Sequence, residues 1–236
     1  MENEEDKLAW YEWLFVPYFI PATIVDAIIK LIEKKLKKQK RISICALGER
    51  QTGKTIWLKY LQTGKIINNL GQTPGSIDFK PFDLKIEGDR IVHIEKGKDI
   101  GGEKDNRKNF WKDLVEKSDI VCYFVNIRDF LCKQEYHDNV IGGLDLVADF
   151  LKPTQKDSAS KAKPKTKLPF IVLSYADELK KISVSESDAR EKFTSELKNL
   201  KFKNFKKNTI LVNLLDQNCQ NELKKRIFKT FCNDEK

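Results

Sequence analysis

A chain of 236 residues, 40% hydrophobic and 33% charged, is long enough for one domain with a sizeable core and too apolar for wholesale disorder. The net charge of +9 is unevenly placed: residues 30–41 carry +6, residues 152–167 carry +5 and residues 198–207 carry +5, which leaves −7 on the rest of the chain. That distribution argues against a uniformly basic nucleic-acid binder and suits an anionic membrane surface or an acidic partner, with plain solvation an equal reading for the second and third stretches. The five cysteines, Cys45, Cys122, Cys132, Cys219 and Cys232, form no C-x-x-C pair. They read as reduced thiols of a cytosolic domain rather than as a disulfide framework or metal site.

The chain opens with an acidic run and then an aromatic one, residues 8–21, with Trp10, Tyr11, Trp13, Phe15, Tyr18 and Phe19 interrupted by Pro17 and Pro21. Two prolines rule out one unbroken helix. From Ala22 the apolar residues Ile24, Val25, Ile28, Ile29, Leu31, Ile32 and Leu36 recur at helical spacing opposite Asp26, Lys30, Lys34 and Lys37. Residues 1–40 thus form an aromatic and amphipathic basic segment ahead of a domain at 41–236. The segment lacks the pattern of a secretory signal. Its charges and prolines favour an interfacial helix or hairpin over a membrane span, with packing on a protein as the alternative.

Beyond Arg41 the pattern alternates. "RISICALG" reads as a strand, and "GKTIWLKYLQTG" as a helix closed by Gly64. "PFDLKIEGDRIVHIEKGKD" reads as two strands turning at Glu87-Gly88-Asp89. "NRKNFWKDLVEKSD" is an amphipathic helix, "IVCYFVNI" a buried strand, and "EYHDNVIGGLDLVADFL" a helix weakened by Gly142 and Gly143. After a Lys/Ser/Pro-rich loop come the strand "LPFIVLSY", the helix "SESDAREKFTSELKNL", the strand "NTILVNLL" and the helix "NELKKRIFKTF". Strands alternating with helices predict an α/β fold, with a mostly parallel sheet covered on both faces. His93, in a hairpin strand, and His137, at a helix start, read as structural, with no partner nearby in sequence.

"GERQTGKT", residues 48–55, fits G-x-x-x-x-G-K-[ST] between a strand and a helix. Glycines there let backbone N–H groups turn inward on phosphates, and the helix N-terminus favours negative charge. The predicted nucleotide-binding set is Gly48, Glu49, Arg50, Gln51, Thr52, Gly53, Lys54 and Thr55, with Lys54 on the β- and γ-phosphates and the Thr55 hydroxyl on Mg²⁺. Asp99, at the end of the second hairpin strand, is placed to hold Mg²⁺ through water, and Gly102 three residues later to offer its N–H to the γ-phosphate.

With "GERQTGKT", "TPGSIDF" and "DIGGEKDNRKNFW" in this order, the chain resembles a small P-loop GTPase of the ADP-ribosylation-factor and Sar type, including the β subunit of the signal-recognition-particle receptor. The last run follows the family's D-x-G-G…R…W pattern at Asp99, Gly101, Gly102, Arg107 and Trp111. The resemblance covers about residues 41–231. It implies a six-stranded sheet with five helices, GTP or GDP with Mg²⁺ as ligands, and a nucleotide-controlled switch with activating and effector proteins as partners. By position it implies that Thr73 bonds Mg²⁺ and senses the γ-phosphate. The guanine motif N-K-x-D is represented by "SYAD", residues 174–177, in which Asp177 retains the acceptor for guanine. Ser174 replaces the motif's Asn, and Tyr175 replaces its Lys and offers a ring for stacking. No S-A-K match is found in "VNLLDQN". Glu103 stands where the family has the Gln that orients the attacking water. Its charge opposes the γ-phosphate, so slow hydrolysis is expected.

The resulting expectation is a GTP-binding switch with slow Mg²⁺-dependent hydrolysis, with Lys54, Thr73 and Glu103 as catalytic residues. Attachment to the cytoplasmic face of a membrane, or to a protein partner, falls to residues 8–41. The alternative is a nucleotide-binding interaction module with little or no turnover.

Overall fold

The computed structural model describes residues 40–67, 76–86, 91–100, 107–152, 169–199 and 208–233. The chain divides into two units, Met1–Gln39 and Lys40–Lys236, and every described residue belongs to the second. The aromatic and basic segment expected to carry attachment lies outside the described residues up to residue 39, as do Thr73, Gly102 and Glu103.

Seven strand segments and six α-helices form an α/β layer structure among the described residues. In chain order these are β1 (Lys40–Gly48), α1 (Lys54–Thr63), β2 (Ser76–Phe79), β3 (Phe82–Lys85), β4 (Ile91–Ile100), α2 (Arg107–Lys117), β5 (Ile120–Asn126), α3 (Ile127–Cys132), α4 (Gln134–Phe150), β6 (Phe170–Ser174), α5 (Glu186–Glu196), β7 (Thr209–Leu211) and α6 (Gln217–Asn233). A 3-10 turn, Ala176–Ile182, follows β6. The strand order is β2-β4-β1-β5-β6-β7, with β3 also paired to β4. Strands β4, β1, β5, β6 and β7 are mutually parallel, while β2 and β3 are antiparallel to β4. Because β2 pairs with residues 97–100 and β3 with residues 91–94 of the same strand, the two segments share the outermost of six positions.

The expected hairpin is present as β3 and β4. The sequence reading missed β2, which is parted from β3 by Lys80 and Pro81, where the proline has no N–H to give to a ladder. It also missed α3. That helix begins at the residue after β5 and is capped by Asn126, whose Oδ1 accepts from Asp129 N at 3.1 Å. The last strand is shorter than its apolar run: β7 spans only Thr209–Leu211.

Alternation along the strands sorts the core into two layers. On one face Ile42, Ile44, Ala46, Cys122, Phe124 and Val172 pack against Trp57, Leu58 and Leu61 of α1 and Leu223, Ile227 and Phe228 of α6. On the other, Cys45, Leu47, Val121, Tyr123, Val125 and Leu173 meet Trp111 and Val115 of α2, Phe130 of α3, Leu144 and Val147 of α4, and Phe193 of α5. Cys45 and Cys122 are buried on opposite faces, whereas Cys132, despite its apolar surroundings in sequence, is exposed. The histidines do have partners close in sequence, contrary to expectation. His93 Nδ1 lies 2.6 Å from Asp83 Oδ1 across the hairpin, and His137 Nδ1 lies 3.1 Å from Oδ1 of the adjacent Asp138. Among the described residues no helix is long and apolar enough to cross a membrane.

Candidate functional site

The carboxyl ends of the parallel strands carry the loops that the sequence singles out. Strand β1 sits between β4 and β5. The chain leaves β1 toward one side of the sheet and β5 toward the other, and the crevice at such a reversal is where open α/β sheets bind ligands.

The loop of residues 48–55 leaves β1 there and opens α1. Its backbone conformation explains its glycines. Gly48 has φ +129°, and a Cβ on it would collide with the Phe124 carbonyl of β5. Gly53 has φ +86°, and the Leu214 side chain occupies the place of its missing Cβ. Gln51 holds φ 58° without being glycine, a costly conformation for a residue with a side chain. Gly53 is also the N-cap of α1 and supplies no side-chain cap, and the first turn of α1 has no acidic residue. The N–H groups of that turn point away from the helix body, with the positive end of the helix dipole behind them.

Lys54 enters this turn as a cation beside the positive helix end, an unfavourable placement taken alone. The loop compensates. Lys54 is only 5% exposed, and its Nζ donates to Glu49 O at 2.6 Å, Gly48 O at 3.1 Å and Thr52 Oγ1 at 3.3 Å. Thr52 Oγ1 in turn donates to Glu49 O at 3.0 Å. The three donors of an ammonium are thus all met by loop oxygens, so a phosphate contact requires exchanging at least one of them. Thr55 stands in the first turn of α1, where a hydroxyl ligand to a cation is expected. Asp99 is in β4, in register with Ala46 of β1 and two residues short of Gly48 on that strand. The backbone therefore brings Asp99 beside the start of the loop.

The loop after β6 contains "SYAD", residues 174–177, the stretch expected to stand for the guanine motif. Ser174 is fully buried, and its Oγ donates to Val125 O at 3.0 Å, tying β6 to β5. It takes a structural part rather than facing solvent. Tyr175 has φ 63° and ψ 37°, a left-handed conformation. Its phenol is pushed above its ordinary value by burial, then by the charges of Asp129, Asp177 and Glu178. A neutral ring is therefore presented near Asp177, which is itself exposed in the first turn of the 3-10 segment. Two of the three non-glycine residues with positive φ among the described residues, Gln51 and Tyr175, fall in the two predicted nucleotide motifs.

Two parts of the site were not foreseen. One is Tyr136 of α4, whose Oη accepts the Asn126 N–H at 2.9 Å at the end of β5. Its phenol is raised well above the usual range, chiefly by burial, with the charges of Glu49, Asp129 and Tyr175 adding to the effect and the Asn126 bond opposing it. The other is the segment after β7, where no motif was assigned. Ala176 N donates to Val212 O at 3.5 Å, so this segment runs beside the Tyr175–Asp177 loop, while Leu214 touches Gly53. The glycine loop, the Asp99 backbone and, through the β7 segment, Asp177 are thereby gathered on one edge. Tyr136 is a single aromatic in a polar stretch, and Leu214 is hidden in the apolar run that reads as the last strand.

No protein-family model matches the chain, and neither does any curated protein.

Proposed function

We propose that this protein is a guanine-nucleotide-binding switch of the P-loop GTPase type, with slow Mg²⁺-dependent hydrolysis, attached to a membrane surface or a partner by residues 8–41. One observation carries the reading. A buried lysine ammonium lies at an uncapped helix N-terminus, inside a strand–loop–helix turn that two positive-φ glycines make possible. A polyphosphate would meet the open helix end and draw the ammonium's positive charge into a charge-assisted contact in exchange for a loop oxygen.

The reading gives each part of the ligand a residue. The N–H groups at the start of α1 and Lys54 would bind the phosphates. Asp177 would accept from a guanine edge, and the Tyr175 ring would lie against the base. Mg²⁺ would be held by the Thr55 hydroxyl and, through water, by Asp99, with Thr73 closing over it, and would neutralise charge on the phosphates. Glu103, in place of a water-orienting Gln, supports slow turnover.

One observation favours the second reading, a nucleotide-binding interaction module with little turnover. Ser174 spends its hydroxyl on Val125 O, so the guanine motif retains only Asp177 of its base-reading residues. Mass spectrometry of nucleotide retained by the purified chain, followed by titration with GTP and ATP in Mg²⁺, tests both. Retained GDP or GTP supports a switch, retained GTP that does not turn over supports the second reading, and equal affinity for ATP and GTP removes the role given to Asp177.

A further inference from the structure

We infer that Arg128 of α3 is a positioning residue for base selection: it pins Glu178 and, through it, the 3-10 turn that presents Asp177. The inference rests on the base-reading role proposed for Asp177, and adds to it an ion pair from an element that carries no nucleotide motif.

The turn Ala176–Ile182 runs for seven residues, past the usual limit of about four for this geometry, whose hydrogen bonds are poorly aligned. Its N-cap, Tyr175, is left-handed and gives it no side-chain hydrogen bond. Such a turn depends on support from outside. On its inner side, Leu179 is buried in the same core layer as Ile127 and Phe130 of α3. Its outer side carries Asp177, exposed, and Glu178, half-buried, at consecutive positions. Glu178 N donates to Tyr175 O at 3.1 Å, closing the backbone around Asp177. The Glu178 carboxylate then uses both oxygens. Oε1 accepts from Lys181 Nζ at 2.6 Å, and Oε2 accepts from Arg128 Nη1 at 3.3 Å. The Lys181 bond stays within the turn and ties it to nothing else. The Arg128 bond leaves the turn and reaches α3, whose own start is fixed. Asn126 caps α3 through its side chain, and the Asn126 N–H is held by Tyr136. Arg128 is thus a polar tie from a firmly seated helix to the residue beside Asp177. Because Asp177 makes its contact from an exposed position, a small swing of the turn is enough to misplace it against a base edge.

The measurement is the ratio of GTP to ATP affinity of the full chain, by competition against N-methylanthraniloyl-GDP in Mg²⁺, at low and at high salt. Salt weakens the phosphate contacts of both nucleotides alike, so the ratio isolates the base. Arg128→Gln and Glu178→Gln should each lower the ratio about threefold, the scale of an exposed ion pair. The double variant should lower it no further, because the two side chains act as one unit, and Arg128→Lys should restore most of the preference. Raising the salt should lower the ratio in the unaltered chain, as screening loosens the pair, and leave it flat in Arg128→Gln. Lys181→Gln removes a charge from Glu178 but keeps the tie to α3, and should leave the ratio unchanged. An equal loss in Lys181→Gln, or an unchanged ratio in both Arg128→Gln and Glu178→Gln, overturns the inference while the preference of the unaltered chain upholds the functional reading. A ratio of one in the unaltered chain overturns the role of Asp177 and this inference together.

Discussion

Lys54 carries the phosphate assignment, and its three bonds to the loop define what its loss should do. Lys54→Ala is expected to weaken GTP and GDP binding by about 1.5–3 kcal/mol, the value of a hydrogen bond to a charged group, as measured by isothermal titration. It should also take the Lys54 donor from the carbonyls of Gly48 and Glu49, the second of which keeps Thr52 Oγ1, so a modest fall in melting temperature should accompany it. Asp177→Ala is expected to lower the preference for GTP over ATP while sparing phosphate affinity, read from paired titrations. At position 103, single-turnover hydrolysis should be faster in Glu103→Gln than in the unaltered chain. A slower Gln variant would identify Glu103 as a working base, and unchanged rates would place it away from the reaction. The glycine loop was legible in sequence because its chemistry is local: eight consecutive residues supply turn, lysine and hydroxyl. Tyr136 and Leu214 were not legible, because Tyr136 meets the end of β5 and Leu214 meets Gly53 through tertiary docking that no short-range pattern records.

The two adjacent glycines of α4 separate two roles that the sequence could not. A Cβ on Gly143 would strike the Tyr123 hydroxyl, whereas one on Gly142 would meet nothing within 4 Å. Gly143→Ala is therefore expected to destabilise the fold by about 1–3 kcal/mol through overpacking, and Gly142→Ala to stabilise it by about 0.4–1 kcal/mol by restricting the unfolded chain. Urea denaturation of the two variants should move the midpoint in opposite directions. Tyr136 gives α4 a pH signature. Its phenol is raised in the fold, so it stays neutral where the unfolded chain's tyrosine ionises. Its contribution is intact below about pH 10, the ordinary tyrosine value, and declines as pH rises beyond it toward the folded value. Melting temperature should thus fall more steeply above pH 10 in the unaltered chain than in Tyr136→Phe, which should begin lower at neutral pH because the Asn126 N–H loses its acceptor. Helix α3 escaped the sequence reading because it has only six residues and its first, Ile127, reads as the end of the β5 strand. Only the Asn126 cap marks the change of period.

At the scale of the molecule, the alternation of strands and helices was enough to foresee a mostly parallel sheet with both faces covered, since each buried strand needs apolar partners on two sides. The split of the outer strand was not foreseen, because Pro81 gives a turn signal whether or not pairing resumes beyond it. The expected separation of duties between residues 8–41 and the nucleotide domain can be checked with a chain beginning near Gln39. It should remain soluble and bind nucleotide, while the full chain alone floats with liposomes containing anionic lipid. Equal flotation of the two would move the attachment to a protein partner. The same outer strand has a further consequence. Among the described residues the sheet ends on one side in two four-residue pieces parted by Lys80 and Pro81, and on the other in a strand of three residues. Neither margin offers another chain a long ladder to extend, which is how β-proteins guard against edge-to-edge aggregation. A chain with a buried β-branched core survives at high concentration only if such margins stay closed. Pro81→Val, which would let β2 and β3 fuse into one continuous margin, should raise its tendency to form fibrillar aggregates long before it alters the fold.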